Sequence, residues 1–68
     1  MKIGESLRKL RVEKGITQLK LAEIMSISRV NYNRYENNVN CPSVELLCQL
    51  ADFYDVTLDE MVGRKFGA

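Results

Sequence analysis

Apolar residues return along this chain at helical spacing, and the polar residues between them include the types that start and stop helices. Ile3, Leu7 and Leu10 fall at i, i+4 and i+7, one stripe of a helix running from Ile3 or Gly4 to Lys14. Glu5 lies early in that segment and Lys9, Arg11 and Lys14 late, the order the helix dipole favours. Gly15 is placed for the left-handed residue that ends a helix. Leu21, Ala22 and Met25, with Ile24 beside them, form the stripe of a second helix over Gln18 to Met25. A third, Arg29 to about Glu36, carries Tyr32 and Tyr35 on its apolar side, with Val30 or Asn31 as the only further candidates for burial. Leu46, Leu47, Leu50, Ala51 and Phe53 or Tyr54 line a fourth, and a short fifth starts after Thr57 and ends near Val62 or Gly63. There is no strand alternation, glycine-rich phosphate loop, repeat or low-complexity segment. The expectation is an all-α fold: one domain over residues 1–68, five helices, and a short tail at 63–68.

The starts of these helices carry their own signals. Thr17, Ser28 and Ser43 each stand where a hydroxyl can accept a bond from a free N–H of the first turn. Thr57-Leu58-Asp59-Glu60 reads as a capping box. Apolar pairs bracket all four caps: Ile16 with Leu21, Ile27 with Tyr32, Pro42 with Leu47, and Val56 with Met61. Asn37 or Asn38 can take the left-handed backbone that ends the third helix. The link Ser26-Ile27 is too short for antiparallel packing, so the second and third helices must cross steeply, with Ala22 small enough for a close approach. That arrangement, over residues 17–37, is the geometry of a helix-turn-helix, whose second helix can enter a DNA major groove.

The polar side of the third helix sharpens this reading. Ser28, Arg29, Asn33, Arg34 and Asn37 are rich in donors, and no acid precedes Glu36. Arg can bond guanine bidentately, Asn can bond adenine, and Ser suits phosphate. Most polar helix faces are only solvated, so composition alone leaves a plain surface helix as the competing reading. Gln18, at the start of the second helix, can bond a phosphate, brace the third helix, or do neither.

Charge gives the chain a direction. Residues 1–34 hold eight Lys/Arg against three Glu, net +5, and residues 35–68 hold two against six Asp/Glu, net −4. The sum is the overall +1, and an anionic partner would meet the half that contains the helix-turn-helix. Two cysteines and no histidine cannot form a four-ligand zinc site within one chain. Cys48 falls on an apolar helical face and reads as a small core residue, while Cys41, before Pro42, reads as exposed. Both are expected as free thiols. No run of 18 apolar residues is present, and the charged start MKIGESLRKL lacks an export signal core, so a cytoplasmic protein is expected. The carboxylates occupy capping or surface positions and no base stands near either thiol in sequence, so nothing fills the roles of a catalytic site, and no cofactor is expected.

In combination these residues resemble the helix-turn-helix domain of Cro/cI-type phage repressors and small bacterial regulators, the XRE family. The resemblance runs from Ile3-Gly4-Glu5, Leu7-Arg8 and Leu10-Arg11 through Gly15-Ile16-Thr17-Gln18 and Leu21-Ala22. It continues through Ile27-Ser28, Tyr35-Glu36-Asn37, Pro42-Ser43 and Leu50-Ala51 to Val56-Thr57-Leu58-Asp59-Glu60-Met61, covering about residues 3–62. It implies a compact five-helix, lambda-repressor-like DNA-binding domain that acts as a homodimer on a palindromic operator in double-stranded DNA. By position, Arg29, Val30, Asn33 and Arg34 would read bases from a recognition helix at Ser28–Glu36. Thr17, Gln18, Ser28, Asn31 and Asn37 would contact phosphate or support that helix. Arg11 and Glu36 would form a partly buried ion pair, and Leu58, Met61, Val62 and Phe66 a dimer contact. The chain departs from the family in having Ser26 and Asn38 where glycine is common, and tyrosines at 32 and 35 where aliphatics are usual. Val30 has no group to hydrogen-bond a base and can only touch a thymine methyl.

The sequence holds no evident small-molecule effector domain, so the reading is a repressor or controller switched by dimerisation, a protein partner or dose. The alternative is an antitoxin or other protein-interaction module on the same fold, for which the six residues after Val62 offer little partner-binding length.

Overall fold

The computed structural model describes residues 3–62 of the chain. Its helices are α1 (Gly4–Lys14), α2 (Gln18–Met25), α3 (Arg29–Glu36), α4 (Val44–Tyr54) and α5 (Leu58–Val62). Among the described residues there is no strand, and no helix is long and apolar enough to cross a membrane.

The caps fix where α2 to α5 begin. Thr17 Oγ1 accepts from the Lys20 N–H at 3.1 Å, Ser28 Oγ from Asn31 at 3.1 Å, and Ser43 Oγ from Leu46 at 3.2 Å. At α5 the box closes both ways: Glu60 N–H donates to Thr57 Oγ1 at 3.1 Å, and Thr57 N–H to Glu60 Oε1 at 3.4 Å. Each such cap contributes about 1 kcal/mol by satisfying a first-turn donor. α1 has no cap of its own at Ile3. Its Gly4 N–H instead donates to Asn38 Oδ1 at 2.9 Å, a bond supplied from the turn that follows α3.

Left-handed residues fix three of the ends: Gly15 (φ 76°) after α1, Ser26 (φ 59°) after α2 and Asp55 (φ 56°) after α4. After α3 it is Asn38 (φ 61°) and not Asn37 that turns left-handed. Ser26 stands where glycine would sit without strain, at a cost on the order of 1 kcal/mol.

One core joins all five helices: Ile3, Leu7, Leu21, Ala22, Tyr32, Leu46, Leu50, Ala51, Tyr54 and Met61. The staple residues Ile16, Ile27, Leu47 and Val56 pack against it, half-buried. Each fully buried side chain, such as Leu7, Leu21, Leu50 or Met61, adds roughly 1.5–3 kcal/mol over its exposed state. Cys48 is a correction: it is exposed, not part of the core. Two residues beyond Leu46 is about 200° around a helix of 3.6 residues per turn. The stripe that reaches the core is Leu46, Leu50, Ala51 and Tyr54, and Cys48 lies across from it. Cys41 is also exposed, and both are free thiols.

Candidate nucleic-acid interface

α3 is anchored through its apolar side and its C-terminal turn. Tyr32 is fully buried and Tyr35 half-buried, whereas Val30 and Asn31 are both exposed. The outward surface of α3 therefore starts at its first turn.

At the far end of α3 a chain of polar side chains ties α1, α2 and α3 together. Arg11 Nε donates to Glu36 Oε2 at 2.7 Å, and its Nη2 to Glu36 Oε1 at 3.3 Å. A third donor of the same guanidinium, Nη1, meets the Ile16 carbonyl at 2.9 Å, in the link between α1 and α2. Gln18 Nε2 donates to Glu36 Oε1 at 3.0 Å, and Gln18 Oε1 accepts from Asn33 Nδ2 at 3.1 Å. Asn37 Nδ2 then donates to Asn33 Oδ1 at 2.9 Å. Side-chain exposure at the ion pair is 13% for Arg11 and 3% for Glu36, so the pair is shielded from solvent screening. Burial alone would raise Glu36, but Arg11 first, then the neighbouring Tyr32 hydroxyl and Gln18, outweigh it and hold the carboxyl below its ordinary value. The Arg11 guanidinium is raised in turn, chiefly by its bond to Glu36.

Two tyrosines stand behind the pair. The Tyr32 and Tyr54 hydroxyls are buried and make no hydrogen bond of good geometry among the described residues. Burial, reinforced by the Glu36 charge, raises Tyr32 far above its ordinary value and pushes Tyr54 up to about 12.

The residues expected to read bases thus separate into two groups. Arg29, Val30 and Arg34 are exposed, and neither guanidinium has a hydrogen-bond partner among the described residues. Asn33 is half-buried, and its amide is engaged at both its nitrogen and its oxygen. Its amide is part of the brace: one N–H goes to Gln18 and one oxygen lone pair takes the Asn37 N–H, which fixes its orientation, so turning it toward a base would break both bonds. The Asn33–Asn37 link is an i, i+4 pair and was open to inference from spacing, whereas the Gln18–Asn33 link depends on how the helices cross.

The support residues divide similarly. Thr17 and Ser28 are exposed, and each hydroxyl accepts a cap bond while keeping its hydrogen free to donate. Asn31 is exposed on the first turn of α3, and Asn37 is exposed at its end. Gln18 is a brace with both ends of its amide engaged.

The exposed, donor-rich helix and its brace lie within residues 7–61, over which the chain matches the helix-turn-helix family. The chain belongs to that family, of the XRE type. The domain is 36% identical over 64 residues to the cryptic phage CTXphi transcriptional repressor RstR of Vibrio cholerae, covering 94% of this chain and 57% of the relative. It is 36% identical over 61 residues to the transcriptional regulator AnsR of Bacillus subtilis, covering 90% and 53%. It is also 36% identical over 62 residues to the antitoxin PezA of Streptococcus pneumoniae, covering 91% and 39%. The domain therefore spans about half the length of the first two relatives and less of the third.

The expected dimer contact changes. Met61 is fully buried in the core beneath α5, so it holds α5 to its own domain and offers nothing to a second copy. Leu58, 41% exposed, faces outward at the start of α5. The side chain of Val62 and all of Phe66 lie outside the described residues.

Proposed function

We propose that the domain gives a transcriptional regulator its sequence-specific grip on double-stranded DNA, with two copies binding a palindromic operator through α3. The observation that carries this reading is the pair of exposed guanidiniums, Arg29 and Arg34, without partners among the described residues, on a helix braced from behind by Arg11, Glu36, Gln18 and Asn33. Rigid presentation matters, because a bidentate contact to guanine requires the helix to lie at fixed depth and angle. Thr17, Ser28, Asn31 and Asn37 stand around the same helix, where hydroxyl and amide donors suit phosphate oxygens and set register. One short helix reads few base pairs, which favours two copies. The domain measures 35 × 23 × 20 Å, a size on the scale of the roughly 34 Å that one turn of DNA sets between half-sites. Leu58 supplies an apolar point for that association. Occupation of a promoter then blocks or recruits polymerase by position, without chemistry.

The test is selection of bound duplexes from a random pool at two salt concentrations. A palindromic consensus with half-sites near one helical turn apart is expected. Arg29→Ala and Arg34→Ala should each relax preference at a defined position by about 1–3 kcal/mol. Weak, sequence-blind binding that disappears with salt would overturn the proposal. Similarity to PezA favours a second reading, an antitoxin that binds a protein partner, and that outcome would direct the search there.

A further inference from the structure

We infer that the operator half-site is defined by guanine contacts at Arg29 and Arg34 and by a thymine C5-methyl contact at Val30, and that Asn33 reads no base. This rests on the DNA-binding reading above and specifies what the site reads.

Val30 is the starting point. It is 55% exposed on the first turn of α3, between Arg29 and Asn31, with Arg34 one turn further on. A β-branched hydrocarbon in that place adds nothing to the core, which α3 reaches through Tyr32 and Tyr35. In a major groove only one base edge offers an apolar group, the thymine C5 methyl. Val has a rigid χ1 in a helix, so it presents a fixed apolar surface with little entropy to lose. Arg29 and Arg34 carry donors only, and the base edge with two acceptors side by side is guanine. The adenine-reading amide is the element that is missing. Asn33 is committed to Gln18 and Asn37, and Gln18 is committed to Glu36. Freeing either amide for a base would break a chain that ends on a buried carboxylate. Asn33 is thus a positioning residue.

The test uses the selected consensus duplex. Each thymine is replaced in turn by deoxyuridine, which keeps every hydrogen-bonding group and removes only the methyl. One thymine per half-site is expected to show about fourfold weaker binding on replacement, the loss of one buried methyl at roughly 0.8 kcal/mol. Val30→Ala should bring the thymine-to-uracil ratio at that position close to one; Val30 is exposed, so the fold is not at risk. Asn33→Ala should lower the melting temperature and weaken all sequences evenly, with the selected consensus unchanged. A consensus in which no thymine responds to uracil, or in which Asn33→Ala abolishes preference at one base, overturns this inference and leaves sequence-specific binding standing. Absence of any consensus overturns both.

Discussion

Glu36 is where the strands of the brace meet, since its two carboxylate oxygens take bonds from Arg11 and Gln18. Removing one member of a shielded ion pair leaves the other without a partner, which is worse than never having had the pair. Glu36→Ala is therefore expected to lower unfolding stability by about 2–4 kcal/mol, read from urea or thermal melts. A domain of this size has on the order of 3–5 kcal/mol in total, so the variant would be barely folded at room temperature. The same residue sets an acid limb. Its folded-state pKa lies below the ordinary 4.5, so in that range the unfolded chain binds the proton more readily. The carboxylate's contribution is complete above the unfolded-state value and is lost as pH falls through the folded-state one. Urea melts between pH 6 and 3 should show this loss, and Glu36→Gln should start lower and change less across the range.

At the scale of elements, the start of α1 lies hard against the end of α3. A Cβ on Gly4 would overlap the Glu36 carbonyl oxygen and lie 2.7 Å from its carbonyl carbon. The obstacle is backbone at a helix end, which cannot turn aside as a side chain would. Gly4→Ala is expected to destabilise the domain by about 1–3 kcal/mol despite alanine's better helix propensity, measurable by chemical unfolding. The helix spans, caps and most of the core were legible in the sequence because each rests on short-range spacing: Leu7 to Leu10, Ser28 before Arg29, Thr57 to Glu60. The Gly4–Asn38 bond was not, since it joins residues 34 positions apart. The bonds of Asn33 were hidden for a related reason. Spacing shows an asparagine on the polar side of α3, and only with α2 in place does Gln18 take up its amide. Cys48 was misplaced because a run of apolar residues in α4 does not by itself say which of them face the core, and Met61 because the family's dimer contact was carried over by position to a residue that its pairing with Val56 already placed inside.

For the molecule as a whole, cations and acids are sorted along the chain. Residues 1–34, through most of α3, carry net +5, and residues 35–68 carry net −4. A DNA-bound pair would then meet phosphate with its basic elements while α4 and α5 stay away from it. Leu58 begins α5 beside Asp59 and Glu60, so a further charge there would oppose any second copy in the same place. Leu58→Asp is expected to weaken self-association at least tenfold in sedimentation equilibrium, about 1.4 kcal/mol, with little change in the melting of the dilute domain. Equal association of variant and wild type would remove α5 from the interface. The division of labour on α3 also has a consequence across generations of sequence. Arg29, Val30 and Arg34 project outward and hold nothing up, so exchanging them alters stability by only about 0.5 kcal/mol. Gln18, Asn33 and Glu36 hold the helix in place. With α3 reading DNA as proposed, such a domain could drift to a new operator one outward residue at a time without passing through an unfolded ancestor.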